Sequence, residues 1–397
     1  MADYHSKRVH NKRVLFALLF TLLNAYIFTA HPAEKPQAHL KEASLCARQL
    51  DFSTAVKHLV DALEIDPRCT EAHIQLGHAY AKMGKIGEAI QSYSYAIELQ
   101  PDASDAHQSL RALTHYNLGL IFARRGLLAK AEAEYRQALQ LHPSLSIVRY
   151  QLGAVHARQG RFAEAIPFYK QAIERYPQNT GAYYQLANAY FRMGNQAEGE
   201  RQLKKLREIK AKQRFDVGDH ALKNGDIQEA VKSYQRALDM SPEFAPAYLR
   251  LGTIAYQQDE LEEAQRYLQR ALALKPDFAL VHYQLGWVHE KRGDTGKAIE
   301  SFETSVALKP NFAPACNTLA MFYLERGDHF DEAVVLAERA VKAKPIAAYW
   351  DTLAYAFYKK QNYKAASKAI AKALALQPNA PEYIARQQLI QTAILRE

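Results

Sequence analysis

Cysteine is scarce in this chain of 397 residues, which has only Cys46, Cys69 and Cys316. Three scattered thiols cannot build a disulfide framework or supply the paired ligands of a structural zinc module. Glycine (17) and proline (15) are too sparse for a collagen-like or low-complexity chain. Acidic residues trail basic ones, 42 against 51, but the resulting net charge of +9 is spread along the chain. With no dense basic block beyond the first few residues and no reading motif, nucleic acid is not an expected partner. Also missing are a phosphate-cradling Gly loop, a zinc-binding His-Glu helix and a nucleophile motif. The chain is therefore read as non-enzymatic, with no catalytic, cofactor or metal residues. Long uncharged runs are absent with one exception, Val14–Ala30.

What is present is a helical repeat. Residues 146–177 read SIVRYQLGAVHARQGRFAEAIPFYKQAIERYP. They form two helical patterns separated by a turn at Gly160 and closed by Pro177. Leu152 and Gly153 in the first pattern, and Ala165, Tyr169 and Ala172 in the second, fall on facing stripes. Small residues let the helices approach, and the aromatic ring fills the gap beside them. The hairpin keeps one apolar face uncovered, and the same spacing returns roughly every 34 residues, so each unit buries the face of the one before.

That period divides the chain. Residues 36–103 hold the first two repeats, 104–111 are an insertion, 112–210 hold repeats three to five, 211–378 hold repeats six to ten, and 379–397 form a capping helix. The insertion either lengthens a helix or loops out. Repeat five has Gly199, Leu203 and Leu206 but no closing Pro, which predicts a long shared helix within Gln196–Lys223. Pro167 sits early enough in its helix to be tolerated. The fifteen histidines look like repeated packing positions: His73, His115 and His282 share one, His156 and His289 another.

The Leu-Gly, Ala, aromatic, Ala and Pro positions resemble the tetratricopeptide repeat family over residues 36–397. The resemblance implies an all-α fold, a right-handed superhelical solenoid of about ten helix-turn-helix repeats with a C-terminal capping helix. It also implies that the first helices line an inner wall that grips partner proteins. In the family register one column of that wall is Tyr116, Tyr150, Tyr184, Phe215 and Tyr283. The next is Gln75, Asn117, Gln151, Gln185 and Gln284, and a basic column is Lys82, Arg124, Arg158, Arg192, Lys223, Lys291 and Lys359. Amides bond peptide backbone, rings supply rigid contact area and cations favour acidic segments. The expected ligand is an extended acidic or C-terminal peptide. Family members that clamp a terminal carboxylate use a Lys and an Asn one turn apart; here that pair is Tyr184 and Asn188, so this specificity is not supported.

Residues 1–13 carry Lys7, Arg8, Lys12 and Arg13, and residues 14–30 are uncharged. At 1.5 Å per residue the segment is about 25 Å long, close to a bilayer core. It reads as a transmembrane anchor, followed by a linker at 31–35, with the N-terminus cytoplasmic and the repeats periplasmic at a bacterial inner membrane. The alternative is a cleaved signal that releases a soluble periplasmic or secreted adaptor, although the residues before Ala30 and Ala25 suit cleavage poorly. The anticipated role is a scaffold recruiting partner proteins for envelope assembly, secretion or polysaccharide export. Partner identity and oligomeric state stay open.

Overall fold

The computed structural model describes residues 34–99 and 105–396. The basic tail, the apolar segment 14–30 and most of the linker lie outside the described residues. Among those described, no helix is long and apolar enough to cross a membrane.

The described residues form twenty helices and no strand. Two compact units divide between Leu206 and Arg207. The first holds α1 (Glu34–Arg48), α2 (Phe52–Ile65), α3 (Thr70–Lys82), α4 (Ile86–Glu98), α5 (Asp105–Arg124), α6 (Leu128–Leu141), α7 (Ser146–Arg158), α8 (Phe162–Arg175) and α9 (Thr180–Arg192). The division falls inside α10 (Gln196–Lys223). The second unit continues with α11 (Ile227–Met240), α12 (Ala245–Gln257), α13 (Leu261–Leu274), α14 (Ala279–Lys291), α15 (Thr295–Leu308), α16 (Ala313–Arg326), α17 (Phe330–Ala343), α18 (Ala347–Lys359), α19 (Tyr363–Leu376) and α20 (Pro381–Ile394).

The turns explain why the helices pair. Gly160 closes the α7–α8 turn at φ +77, a conformation that costs glycine nothing and other residues about 1 kcal/mol. Leu50, Asp259 and Gln361 hold the same place in other turns at φ 66, 67 and 60. Side-chain caps start several second helices: Asp51 accepts from the Thr54 N–H, Asp226 from Glu229 and Asn362 from Ala365.

Between paired helices the contact is glycine against a ring. A Cβ built on Gly153 would lie 2.7 Å from the Tyr169 ring, and one on Gly286 would lie 2.4 Å from Phe302. Gly77 meets Tyr93, Gly119 meets Tyr135 and Gly218 meets Tyr234 in the same way. Where the first helix carries alanine the opposing residue is smaller: Ala187 stands in register with Leu203, Ala320 with Ala337 and Ala354 with Ile370. Gly252 breaks the pattern, meeting Leu268 in place of a ring.

The irregular stretches resolve simply. The insertion after repeat two lengthens a helix, since α5 has 20 residues where α3 has 13. The predicted shared helix is α10, 28 residues without a break. Repeat nine carries one extra residue in the turn between Gly327 and Phe330, where Gly327 and His329 stand at φ 79 and 51. Helix α8 passes through Pro167 unbroken. At the C-terminus α20 buries Tyr383 and Ile390, covering the last apolar face.

Candidate functional site

The first helices carry the predicted wall, and the structure sorts its columns differently. The aromatic column is mostly packing. Tyr116 is 3% exposed, and its ring centroid lies 6.1 Å from that of Tyr135. Tyr150 lies 5.9 Å from Tyr169, Phe215 5.3 Å from Tyr234 and Tyr283 5.7 Å from Phe302. Each ring thus leans on the ring of its own second helix. Tyr116 and Phe215 are buried, which corrects their expected place on a ligand-facing wall; Tyr150 and Tyr283 are half-buried. Burial also pushes the Tyr116 hydroxyl up to about 12, against a hydrogen bond from Gln151. Tyr184 differs, being 49% exposed, because Leu203 stands where its neighbours have a ring.

The amide column divides too. Gln75 is buried, accepting from Ser44 Oγ at 3.3 Å and donating to Glu71 at 3.1 Å. It ties α1 to α3 and is not available to a ligand, which corrects the expected role. Asn117, Gln151, Gln185, Asn188 and Gln284 are half-buried at the surface. In the second unit the same position is held by Asp216, Arg250, Gln284, Thr318 and Thr352, so only Gln284 keeps the amide there.

The basic column is the most exposed of the three. Lys82, Arg124, Arg158, Arg192, Lys223 and Lys291 are all exposed, and Lys359 is half-buried. Each stands in the last turn of its helix, where a cation is favoured by the helix dipole. Several are engaged: Arg158 donates to the Ala123 carbonyl at 2.6 Å, Lys291 pairs with Asp259 at 2.7 Å, and Lys359 lies over the Tyr355 ring. In the first unit the cations sum to a local field. His78 is pushed down to about 4, mainly by burial and further by Lys82 and Arg124.

The histidines split by position. His73 and His282 each bond a proline carbonyl six residues back, Pro67 and Pro276, at 3.0 Å, and Cys316 does the same to Pro310 at 3.3 Å. His115 bonds Glu134 at 2.7 Å instead. His156 is buried and stacked on Phe168, 3.5 Å from Glu132 and 3.3 Å from Glu164; burial lowers its pKa. Arg161 joins the two carboxylates at 2.8 and 2.9 Å.

Two groupings were missed in the sequence. Asp219 accepts from the Tyr234 hydroxyl at 2.7 Å and pairs with Arg250 at 3.0 Å. His39, His58 and Asp61 converge on the first hairpin. The His58 to Asp61 spacing of three was a visible signal; the third member, on another helix, was not.

Models of the tetratricopeptide repeat match residues 70–103, 116–180, 156–216, 221–285, 279–312 and 317–381. Among solved structures the chain is similar to MamA, with 25% identity over 43% of this chain and 95% of that one, at a TM-score of 0.39. It is also similar to the MamA 41-end fragment from Desulfovibrio magneticus RS-1, with 16% identity over 46% and 98% and a TM-score of 0.41. For the Cut9–Hcn1 hetero-tetramer of the APC/C the identity is 14% over 90% and 97%, with a TM-score of 0.42. No curated protein matches. Helix pair after helix pair, the repeat models run with short gaps from residue 70 to 381, and the chain belongs to the tetratricopeptide repeat family.

Proposed function

We propose that this chain is a non-enzymatic scaffold that holds partner proteins by extended acidic segments laid along the first helices of residues 70–192. One observation carries this reading. Lys82, Arg124, Arg158 and Arg192 are exposed at the same register position on α3, α5, α7 and α9, on helices that also present Asn117, Gln151, Gln185 and Asn188. Repeated cations attract a carboxylate-rich strand and raise its association rate, while the amides bond its backbone. Exposed Tyr184 adds a ring at the same wall. The scaffold works at a bacterial inner membrane, tethered by residues 14–30 with its repeats in the periplasm, and recruits partners for envelope assembly, secretion or polysaccharide export.

The test of the wall is Arg158→Glu with Arg192→Glu, two exposed positions whose replacement leaves the core intact. Fluorescence anisotropy with an Asp/Glu-rich peptide is expected to show binding that weakens at least about tenfold in the double variant and falls with added salt. Equal binding by both proteins would overturn the wall. N-terminal sequencing of the mature protein tests the tether, which a start beyond Ala30 would exclude.

A further inference from the structure

The first hairpin gathers three metal-ligating side chains from two helices. His39 stands on α1; His58 and Asp61 stand three apart on α2, and so share a face. One donor atom from each lies within 4.8 Å of the other two. His39 Nδ1 is 3.8 Å from Asp61 Oδ2, and the two imidazole centroids are 6.0 Å apart. The Nδ1 atom of His58 is buried with no hydrogen-bond partner, an unfavourable state for a polar atom. The hairpin core does not require these residues, being built from Leu40, Ala43, Ala55, Leu59 and Ala62. Nor does the half-exposed His39–Asp61 pair, at 3.8 Å, add much stability as an ion pair.

We propose that His39, His58 and Asp61 bind one divalent transition ion, of which Zn2+ is the representative. Two neutral imidazoles and one carboxylate suit an ion of borderline softness, and the carboxylate offsets part of its charge. Tetrahedral bonds of about 2.0–2.1 Å set donors roughly 3.4 Å apart, so rotations of these half-buried side chains by about 1.5 Å or less close the site. The fourth position faces water, where a donor from a bound partner can replace it. The ion ties α1 to α2 in a hairpin that, among the described residues, has a repeat neighbour on one side only.

The experiment uses the full chain, tag-free and stripped with a chelator, titrated with Zn2+ against a chelating indicator. Expected is one ion per chain at about micromolar affinity or tighter, with amide exchange slowed across residues 34–65. His39→Gln and Asp61→Asn should each weaken binding at least about tenfold without changing the circular dichroism spectrum. Since both residues are half-buried and outside the core, these variants fold. Absence of stoichiometric binding would overturn the site. So would full affinity in His39→Gln combined with Asp61→Asn, or slowed exchange only elsewhere in the chain.

Discussion

The two units solve the same packing problem with different cores. In residues 298–390 one continuous apolar cluster joins α15 to α20, with Trp287 and Phe322 against Phe302. In the first unit, and also in residues 211–288 of the second, the core is broken into separate clusters, each spanning one hairpin and its neighbour. The buried polar groups differ in kind. Buried residues of the first unit include Gln75, His115, Glu132 and His156, whereas those of the second are Ser233, Ser241, Ser305, Thr318 and Thr352. A hydroxyl can be satisfied within its own helix, as Thr352 is by the Ala348 carbonyl. Buried amides and ionisable groups need partners on other helices. One repeat thus yields a continuous apolar stack over residues 298–390 and a segmented core elsewhere, whose joints in the first unit carry polar, titratable links.

The sharpest test of that contrast is the same substitution in both cores. Valine at Gly286 would drive its Cβ against Phe302, and valine at Gly153 against Tyr169. Each should cost about 2–3 kcal/mol by overpacking. The spread of damage should differ: Gly286→Val should raise amide exchange from α14 to α18, Gly153→Val chiefly in α7 and α8. Equal spread in the two units would break the comparison. Gly153→Ala combined with Tyr169→Leu copies the pair at Ala187 and Leu203, and should recover most of the loss of Gly153→Ala in urea unfolding.

A second test uses the ionisable groups of α3. Burial pushes Glu71 up to about 7 from 4.5, while His78 falls to about 4 from 6.5. Between pH 4.5 and 6.5 both are neutral when folded; on unfolding Glu71 releases a proton and His78 takes one up. The two effects cancel, and their joint contribution to stability is flat there. Glu71→Gln leaves His78 alone, a group with a depressed folded pKa. Its stabilisation is complete above 6.5 and is lost as pH falls toward 4, by up to about 1.4 kcal/mol per pH unit. His78→Asn leaves Glu71 alone, so stability should rise as pH falls from 7 to 4.5. Urea midpoints at pH 4.5, 5.5 and 6.5 measure both slopes.

Much of the architecture was legible because it depends on local spacing. The Leu152–Gly153 and Ala165–Tyr169–Ala172 pattern, the closing prolines and the missing proline after Leu206 located the hairpins and α10. The wall was less legible. Tyr116, Tyr150 and Tyr184 occupy one register, yet only Tyr184 is exposed, because its second helix offers Leu203 in place of a tyrosine. Position along a helix sets direction, but burial depends on what the facing helix supplies. Gln75 was misplaced for the same reason, since its partner Ser44 belongs to the preceding repeat. Groups such as His39 with His58 and Asp61 need three-dimensional proximity that a repeat period does not encode.

The smallest expected effect lies at the end of the uniform stack, where a polar joint of the first unit's kind reappears. Arg386 on α20 donates from Nε to Asp351 Oδ1 at 3.1 Å and from a second nitrogen to Oδ2 at 3.4 Å. Its guanidinium also lies 4.0 Å from the Tyr355 ring centroid. Both side chains are mostly buried, at 22% and 16% exposure, so the pair is less screened than a surface bridge. Its loss should be local, because Tyr383 and Ile390 still dock the helix. Arg386→Met combined with Asp351→Asn keeps the apolar stem over Tyr355 while deleting the ion pair and leaving no buried charge unpaired. It should cost about 1 kcal/mol, seen as faster exchange in α20 with α14 to α17 unchanged. If exchange rose throughout α15 to α20, the capping helix would be holding that whole stretch together, and the continuous apolar core of residues 298–390 could not be what makes it uniform.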